Sequence, residues 1–110
     1  MSTPFTYLAD LRAAVPIPEN GTLSRTVHND DQVKVIAFGF AEGQELSAHT
    51  ASMPAMLQLL EGEMEVRLGT ERVTAKPGTF IHMTAMLEHA LKAKKPSVMV
   101  LYLLKSAAGG

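Results

Sequence analysis

The 110-residue chain contains no cysteine and no tryptophan, and aromatic residues make up only 5% of it. Without cysteine there is no disulfide framework, no thiolate metal site and no cysteine nucleophile. Any metal would therefore be held by histidine, carboxylate, methionine or water. The 10 Lys and Arg residues nearly balance the 11 Asp and Glu residues, and they form no basic run. Because nucleic-acid binders carry basic patches, we expect no nucleic-acid partner.

Long apolar runs are also missing. No stretch approaches the roughly 20 residues of a membrane span. The N-terminal residues lack the basic region followed by an apolar region that is typical of a secretory signal. We therefore expect a cytoplasmic protein with no membrane partner.

Strand-like patterns dominate from about residue 23 onward. Residues 63–68 (EMEVRL) alternate between charged and apolar side chains, which is typical of a strand with one buried face. Residues 33–41 (VKVIAFGFA) are apolar at both parities, which favours a strand that is buried on two faces. We interpret Asn20-Gly21 and Glu61-Gly62 as hairpin turns. Together these patterns predict an all-β protein of about nine short strands with little helix.

The chain is short enough for a single barrel domain over residues 23–104. Residues 1–22 are an N-terminal segment that we expect to form a short helix, or a strand that two subunits exchange. Residues 105–110 are predicted to be a flexible tail. Several strands are apolar on both faces, although a barrel of this size has one interior. The second apolar face predicts a homodimer, and the alternative is a thick core within one chain.

Glycine and histidine recur at a characteristic spacing. His49 follows Gly43 after five intervening residues, and Gly62 comes thirteen residues after His49. Pro77-Gly78 and His89 lie further along the chain. With these residues the chain resembles the small single-domain cupins, the cupin 2 conserved barrel family, whose first motif is G-x5-H-x-H-x3-E-x6-G. The resemblance implies an RmlC-like double-stranded β-helix, also described as a jelly-roll barrel.

Two positions of that motif differ in this chain. Ala51 stands where the family has its second histidine, and Ala55 stands where it has its glutamate. Of the four metal ligands that the resemblance implies, only His49 and His89 are present. Since a catalytic first-row metal usually needs three protein ligands, a third would have to be found, and Glu45 is the candidate because it shares the parity of His49.

With alanine at these two positions, the cavity of the barrel should be larger and less polar. We expect a mostly apolar pocket lined by His49, Ala51, Ala55, Leu57, Leu59, Met64, Val66, Met83 and His89. The main hypothesis is binding of a small organic ligand, with the metal site degenerate and no cofactor required. The first alternative is a metal-dependent enzyme of the dioxygenase or isomerase type, with a divalent first-row metal on His49 and His89. The second is a structural protein with a filled barrel. His28 and His82 are interpreted as surface or hydrogen-bonded residues.

Overall fold

The computed structural model describes residues 4–105. In chain order they form a 3-10 helix, η1 (Leu11–Ala14), and the strands β1 (Thr22–Asn29), β2 (Val33–Phe40), β3 (Glu45–His49), β4 (Ala55–Glu61), β5 (Met64–Leu68), β6 (Glu71–Ala75), β7 (Phe80–Met83), β8 (His89–Ala93) and β9 (Ser97–Leu104). The prediction of an all-β fold with about nine short strands is confirmed. Apart from Lys105, the predicted tail lies outside the described residues.

The strands form two antiparallel sheets that face each other. The five-stranded sheet has the order β1-β2-β9-β4-β7, and the four-stranded sheet has the order β3-β8-β5-β6. Neighbouring strands are thus mostly distant in sequence, as in a jelly-roll barrel. The predicted barrel architecture is confirmed.

The core lies between the two sheets. On β5, Met64 and Val66 are fully buried, while the alternate residues Glu65 and Arg67 face outward. On β4, Leu57 and Leu59 are buried in the same way, and all four belong to one apolar cluster. Burying each of these side chains contributes about 1.5–3 kcal/mol, so this cluster supplies much of the driving force for folding.

The N-terminal segment covers part of the outer face of the five-stranded sheet. Val15, which follows η1, is 5% exposed and packs against Ala37 of β2 and Val98 of β9. The chain approaches so closely that a Cβ added to Gly39 would lie 2.1 Å from the carbonyl oxygen of Pro16. The second apolar face of β2 is therefore buried, in part, by the same chain.

The N-terminal segment contains a short helix. It forms the single 3-10 turn of η1, where the carboxylate of Asp10 accepts a hydrogen bond of 3.0 Å from the backbone N–H of Arg12. Between residues 4 and 105 no helix has the length and apolar character needed to cross a membrane.

Two turns that we predicted as hairpins have other roles. At Glu61-Gly62 the chain crosses between the sheets, because β4 pairs with β7 and β9 whereas β5 pairs with β6 and β8. Asn20-Gly21 leads into β1 and follows no strand among the described residues. Gly62 and Gly21 do adopt the positive φ that the turn residues predict, at 94° and 83°. The local turn was recognised correctly, but the pairing partner depends on distant strands.

Candidate functional site at the mouth of the barrel

A β-bulge in β3 brings His49 to the interior side of the four-stranded sheet. Leu46 pairs with Leu91 of β8, and the next pair is His49 with His89. Two residues of β3 therefore oppose one residue of β8, which shifts the alternation of side chains by one position. A regular strand would have placed Ala48 opposite His89. The bulge thus creates the histidine pair.

The two imidazole rings lie side by side with defined orientations. Their centroids are 4.3 Å apart, and the ring planes are tilted by 59°. Nδ1 of His49 donates to the carbonyl oxygen of Ser47 at 2.8 Å, and Nδ1 of His89 donates to that of Leu87 at 2.9 Å. Because a carbonyl oxygen only accepts hydrogen bonds, each Nδ1 carries the proton of the neutral ring. Each Nε2 therefore keeps a free lone pair.

Both histidines reach the surface of the protein, to different extents. His49 is exposed, whereas His89 is only 6% exposed. Within residues 4–105 no side-chain nitrogen or oxygen is both fully buried and without a hydrogen-bond partner. Since Nε2 of His89 has no partner among the described residues, this atom must reach the surface. The pair consequently lies at the surface where β3 ends and β8 begins, a region called here the mouth of the barrel.

The loops that precede β4 and β8 form the rim of this site. The backbone N–H of Met86 donates to the carbonyl oxygen of Ala51 at 2.7 Å, which ties one loop to the other. Met86 has a φ of 70°, a conformation that a residue with a side chain adopts only at a cost. Arg67 contacts the carboxylate of Glu88 at 3.3 Å, directly beside His89 in sequence. These contacts hold the backbone around the pair.

The predicted third metal ligand does not join the two histidines. Glu45 lies on the outer face of the four-stranded sheet, opposite Lys92, with 3.9 Å between carboxylate and ammonium. Because of the bulge between them, the side chains of Glu45 and His49 lie on opposite faces of the sheet. Within the described part of the chain no group of three or more His, Cys, Asp or Glu residues could hold a metal ion. The residues present therefore do not fit a catalytic metal with three protein ligands.

Most of the predicted pocket residues belong to the packed interior. Six of them are between 0% and 3% exposed and form part of the core cluster: Ala55, Leu57, Leu59, Met64, Val66 and Met83. The other three, His49, Ala51 and His89, lie at the mouth. Leu87, Leu101 and Leu103, which sequence reasoning did not include, pack against the same cluster.

A separate cleft of about 980 Å³ lies between the N-terminal segment and the outer face of the five-stranded sheet. His28 lines it, with Nε2 donating to the carboxylate of Asp30 at 2.8 Å and Nδ1 lying 3.1 Å from the hydroxyl of Thr6. Backbone hydrogen bonds from Val33 and Gln32, together with His28, lower the pKa of Asp30 to about 2. His28 is therefore a hydrogen-bonded residue. His82 is exposed on the same face of the sheet, paired with Met56 across the strands.

Comparisons with known proteins agree with this architecture. The family model described as Cupin domain (Cupin_2) matches residues 35–104. No match is found among curated proteins. A conserved protein of unknown function from Streptococcus pyogenes, SPY1581, is 29% identical, with 94% of this chain and 90% of that chain covered and a TM-score of 0.82. A cupin superfamily protein from Desulfitobacterium hafniense DCB-2 is 23% identical, covers 92% and 93% of the two chains, and gives a TM-score of 0.83. KdgF from Halomonas sp. is 18% identical over 77% and 81%, with a TM-score of 0.75.

Proposed function

This chain belongs to the cupin domain family, and from that premise we propose that it binds a small organic molecule at the mouth of its barrel. The observation that carries the proposal is the pair of His49 and His89, whose Nδ1 atoms donate to backbone carbonyls while neither Nε2 atom has a hydrogen-bond partner among residues 4–105. Oriented polar groups on an otherwise apolar surface are the usual form of a small-molecule site. In this proposal the imidazoles bind and orient the ligand.

Binding without a metal is supported by the side chains around the pair. The described residues supply two imidazoles, and methyl groups stand at Ala51 and Ala55. A metal-dependent enzyme would need at least one more protein ligand. The proposal therefore includes no step at a metal.

The packed interior supports a shallow site instead of a deep one. Leu57, Met64 and Met83 are at most 2% exposed and belong to the packed core cluster, so the space between the sheets is filled by side chains. The same packing favours a second candidate, a structural protein with a filled barrel, which would bind no ligand.

A fragment screen on chelator-treated protein tests the proposal. Binding is read from thermal shifts and from the NMR signals of the histidine rings. We expect ligands that shift the wild type but not the His49→Ala/His89→Ala variant. A His82→Ala variant is the matched control, because this exposed histidine lies on the outer face of the other sheet.

Two results would contradict the proposal. If no fragment binds, or if binding is unchanged in the double variant, the filled barrel is the better account. Near-stoichiometric metal in protein purified without chelator, lost in the double variant, would instead support the metal-dependent enzyme.

The outer face of the five-stranded sheet supports a homodimer as part of this proposal. Phe80 is 60% exposed and shares this face with Gln58 and His82. Exposed aromatic side chains on a sheet face are frequent in interfaces. Light scattering should report a dimer that Phe80→Asp dissociates, whereas Thr74→Asp on the other sheet should leave it intact. A monomeric wild type would contradict the dimer, and exchange of residues 1–22 stays a prediction.

A further inference from the structure

The orientation of the histidine pair restricts which ligands can be bound. At pH 8 an imidazole is neutral and has one donor and one acceptor nitrogen. In His49 and His89 the donor is already used by a backbone carbonyl, at 2.8 and 2.9 Å. The site therefore presents two hydrogen-bond acceptors and no donor. A ligand that satisfies both must bring two donor hydrogens.

Anionic ligands fit this arrangement poorly. An ionised carboxylate or a phosphate monoester dianion has only acceptor atoms, so it would face two lone pairs. To bind it, both rings would have to carry a second proton. Their centroids are 4.3 Å apart, and two positive charges at that distance repel each other.

Cationic ligands lack a counter-charge in this site. The nearest carboxylate in sequence, Glu88, is paired with Arg67 at 3.3 Å, and Glu45 faces Lys92 on the opposite side of the sheet. An ammonium could donate hydrogen bonds to the two Nε2 atoms, but its positive charge would have no carboxylate partner, and burying an unpaired charge costs much more than burying a neutral group. Charge therefore favours a neutral ligand.

The surfaces beside the pair are apolar. Leu68 is the cross-strand neighbour of His89, and Leu87 packs against the core cluster just before it. Met86 is 62% exposed on the rim. Aliphatic and thioether groups of this kind pack well against the body of an apolar or aromatic molecule.

We propose, resting on the proposed function, that the ligand is a neutral molecule with two adjacent hydroxyl groups on an apolar skeleton, of the ortho-diphenol type. Adjacent hydroxyl groups supply two donor hydrogens from neighbouring carbon atoms, and the centroids of the two accepting rings are only 4.3 Å apart. One hydroxyl donates to Nε2 of His49 and the other to Nε2 of His89. The skeleton packs against the leucine and methionine side chains at the mouth.

A series of matched probes tests the two donors separately. Catechol has two donor hydroxyls, 2-methoxyphenol has one, and 1,2-dimethoxybenzene has none, while the ring is the same. Titrations at pH 8 use chelator-treated protein without oxygen, with benzoate and benzylamine as charged comparisons. Each lost hydrogen bond should weaken binding by roughly 2- to 12-fold, which gives the order catechol, 2-methoxyphenol, 1,2-dimethoxybenzene. Catechol should also shift the Nε2 resonances of both histidines.

Two variants test the ligand class separately from the proposed binding site. His49→Ala/His89→Ala should remove the ranking of the probes, and His82→Ala should keep it. If 1,2-dimethoxybenzene, benzoate or benzylamine binds at least as tightly as catechol and depends on the two histidines, the ligand class is overturned while the site stands. If none of the five probes binds, the ligand class is likewise overturned, and the fragment screen decides the site independently.

Discussion

Replacing Gly62 by alanine should destabilise the fold strongly, because two separate costs coincide there. The residue has a φ of 94°, which costs about 1–2 kcal/mol for a residue with a side chain. The added Cβ would also lie 2.2 Å from the hydroxyl oxygen of Ser97 and 2.4 Å from the carbonyl oxygen of Pro96. A backbone carbonyl cannot rotate away, so the start of β9 would have to move.

Moving Ser97 breaks a small hydrogen-bond network. Its hydroxyl accepts from the backbone N–H of Glu63 at 3.2 Å and donates to the carbonyl oxygen of Lys95 at 2.7 Å. Each bond contributes about 0.5–1.5 kcal/mol. Together with the backbone term, Gly62→Ala should lower the free energy of unfolding by about 2–5 kcal/mol.

Urea denaturation of Gly62→Ala and Gly78→Ala isolates the effect of the contact. Gly78 has a similar φ of 96°, but a Cβ there would meet nothing within 4 Å. In Gly78→Ala the free energy of unfolding should therefore fall only by the cost of the positive φ, about 1–2 kcal/mol. Equal losses in the two variants would refute the argument that the crossing between the sheets is packed too tightly for a methyl group.

Three further perturbations address the core, the acid stability and the site. Met64→Ala should lower the free energy of unfolding by about 2–5 kcal/mol in urea denaturation, whereas Glu71→Ala should stay within about 0.5 kcal/mol; a small loss for Met64 would mean that the core is loosely packed. Hydrogen bonds lower the pKa of Asp30 from 3.8 to about 2, so its ionised carboxylate stabilises the fold above about pH 4 and this contribution disappears as the pH falls toward 2. In Asp30→Asn the free energy of unfolding, measured by urea denaturation at a series of pH values, should therefore fall less between pH 4 and pH 2 than in the wild type. An equal fall in both proteins would show that the hydrogen bonds of Asp30 do not persist in solution. Ala51→His/Ala55→Glu should give a protein that binds more zinc by elemental analysis than the wild type, and equal metal content would count against the assignment of these two positions.

Much of the fold was predictable because successive side chains of a strand point to opposite faces, so the alternation of apolar and charged residues identifies strands and their buried faces. On β5 the pattern of Met64 and Val66 against Glu65 and Arg67 identified the buried face, and the structure buries both apolar side chains completely. The apolar character of β2 at both parities also had a physical cause, since the N-terminal segment packs on its outer face. Local sequence carries this information directly.

What sequence could not provide was the pairing between distant strands. A turn signal such as Glu61-Gly62 shows that the chain turns, but whether the flanking strands then pair is decided by β9 and β8. In the same way, parity predicted that Glu45 and His49 share a face. The register shift against β8 places them on opposite faces. The position of the bulge is fixed by the pairing of β3 with β8.

The bulge also determines which residue of β3 lies opposite His89, and most of the core does not depend on that choice. Ala48, His49 and Thr50 follow one another at the end of β3, and sliding this strand by one residue would bring the methyl group of Ala48 or the hydroxyl group of Thr50 opposite His89 in place of the imidazole. The core cluster is carried mainly by other strands, and Leu46 is the one β3 side chain that packs against it among residues 4–105. A short insertion or deletion before β3 is thus enough to give a barrel of this kind a new binding chemistry, with no substitution in its interior.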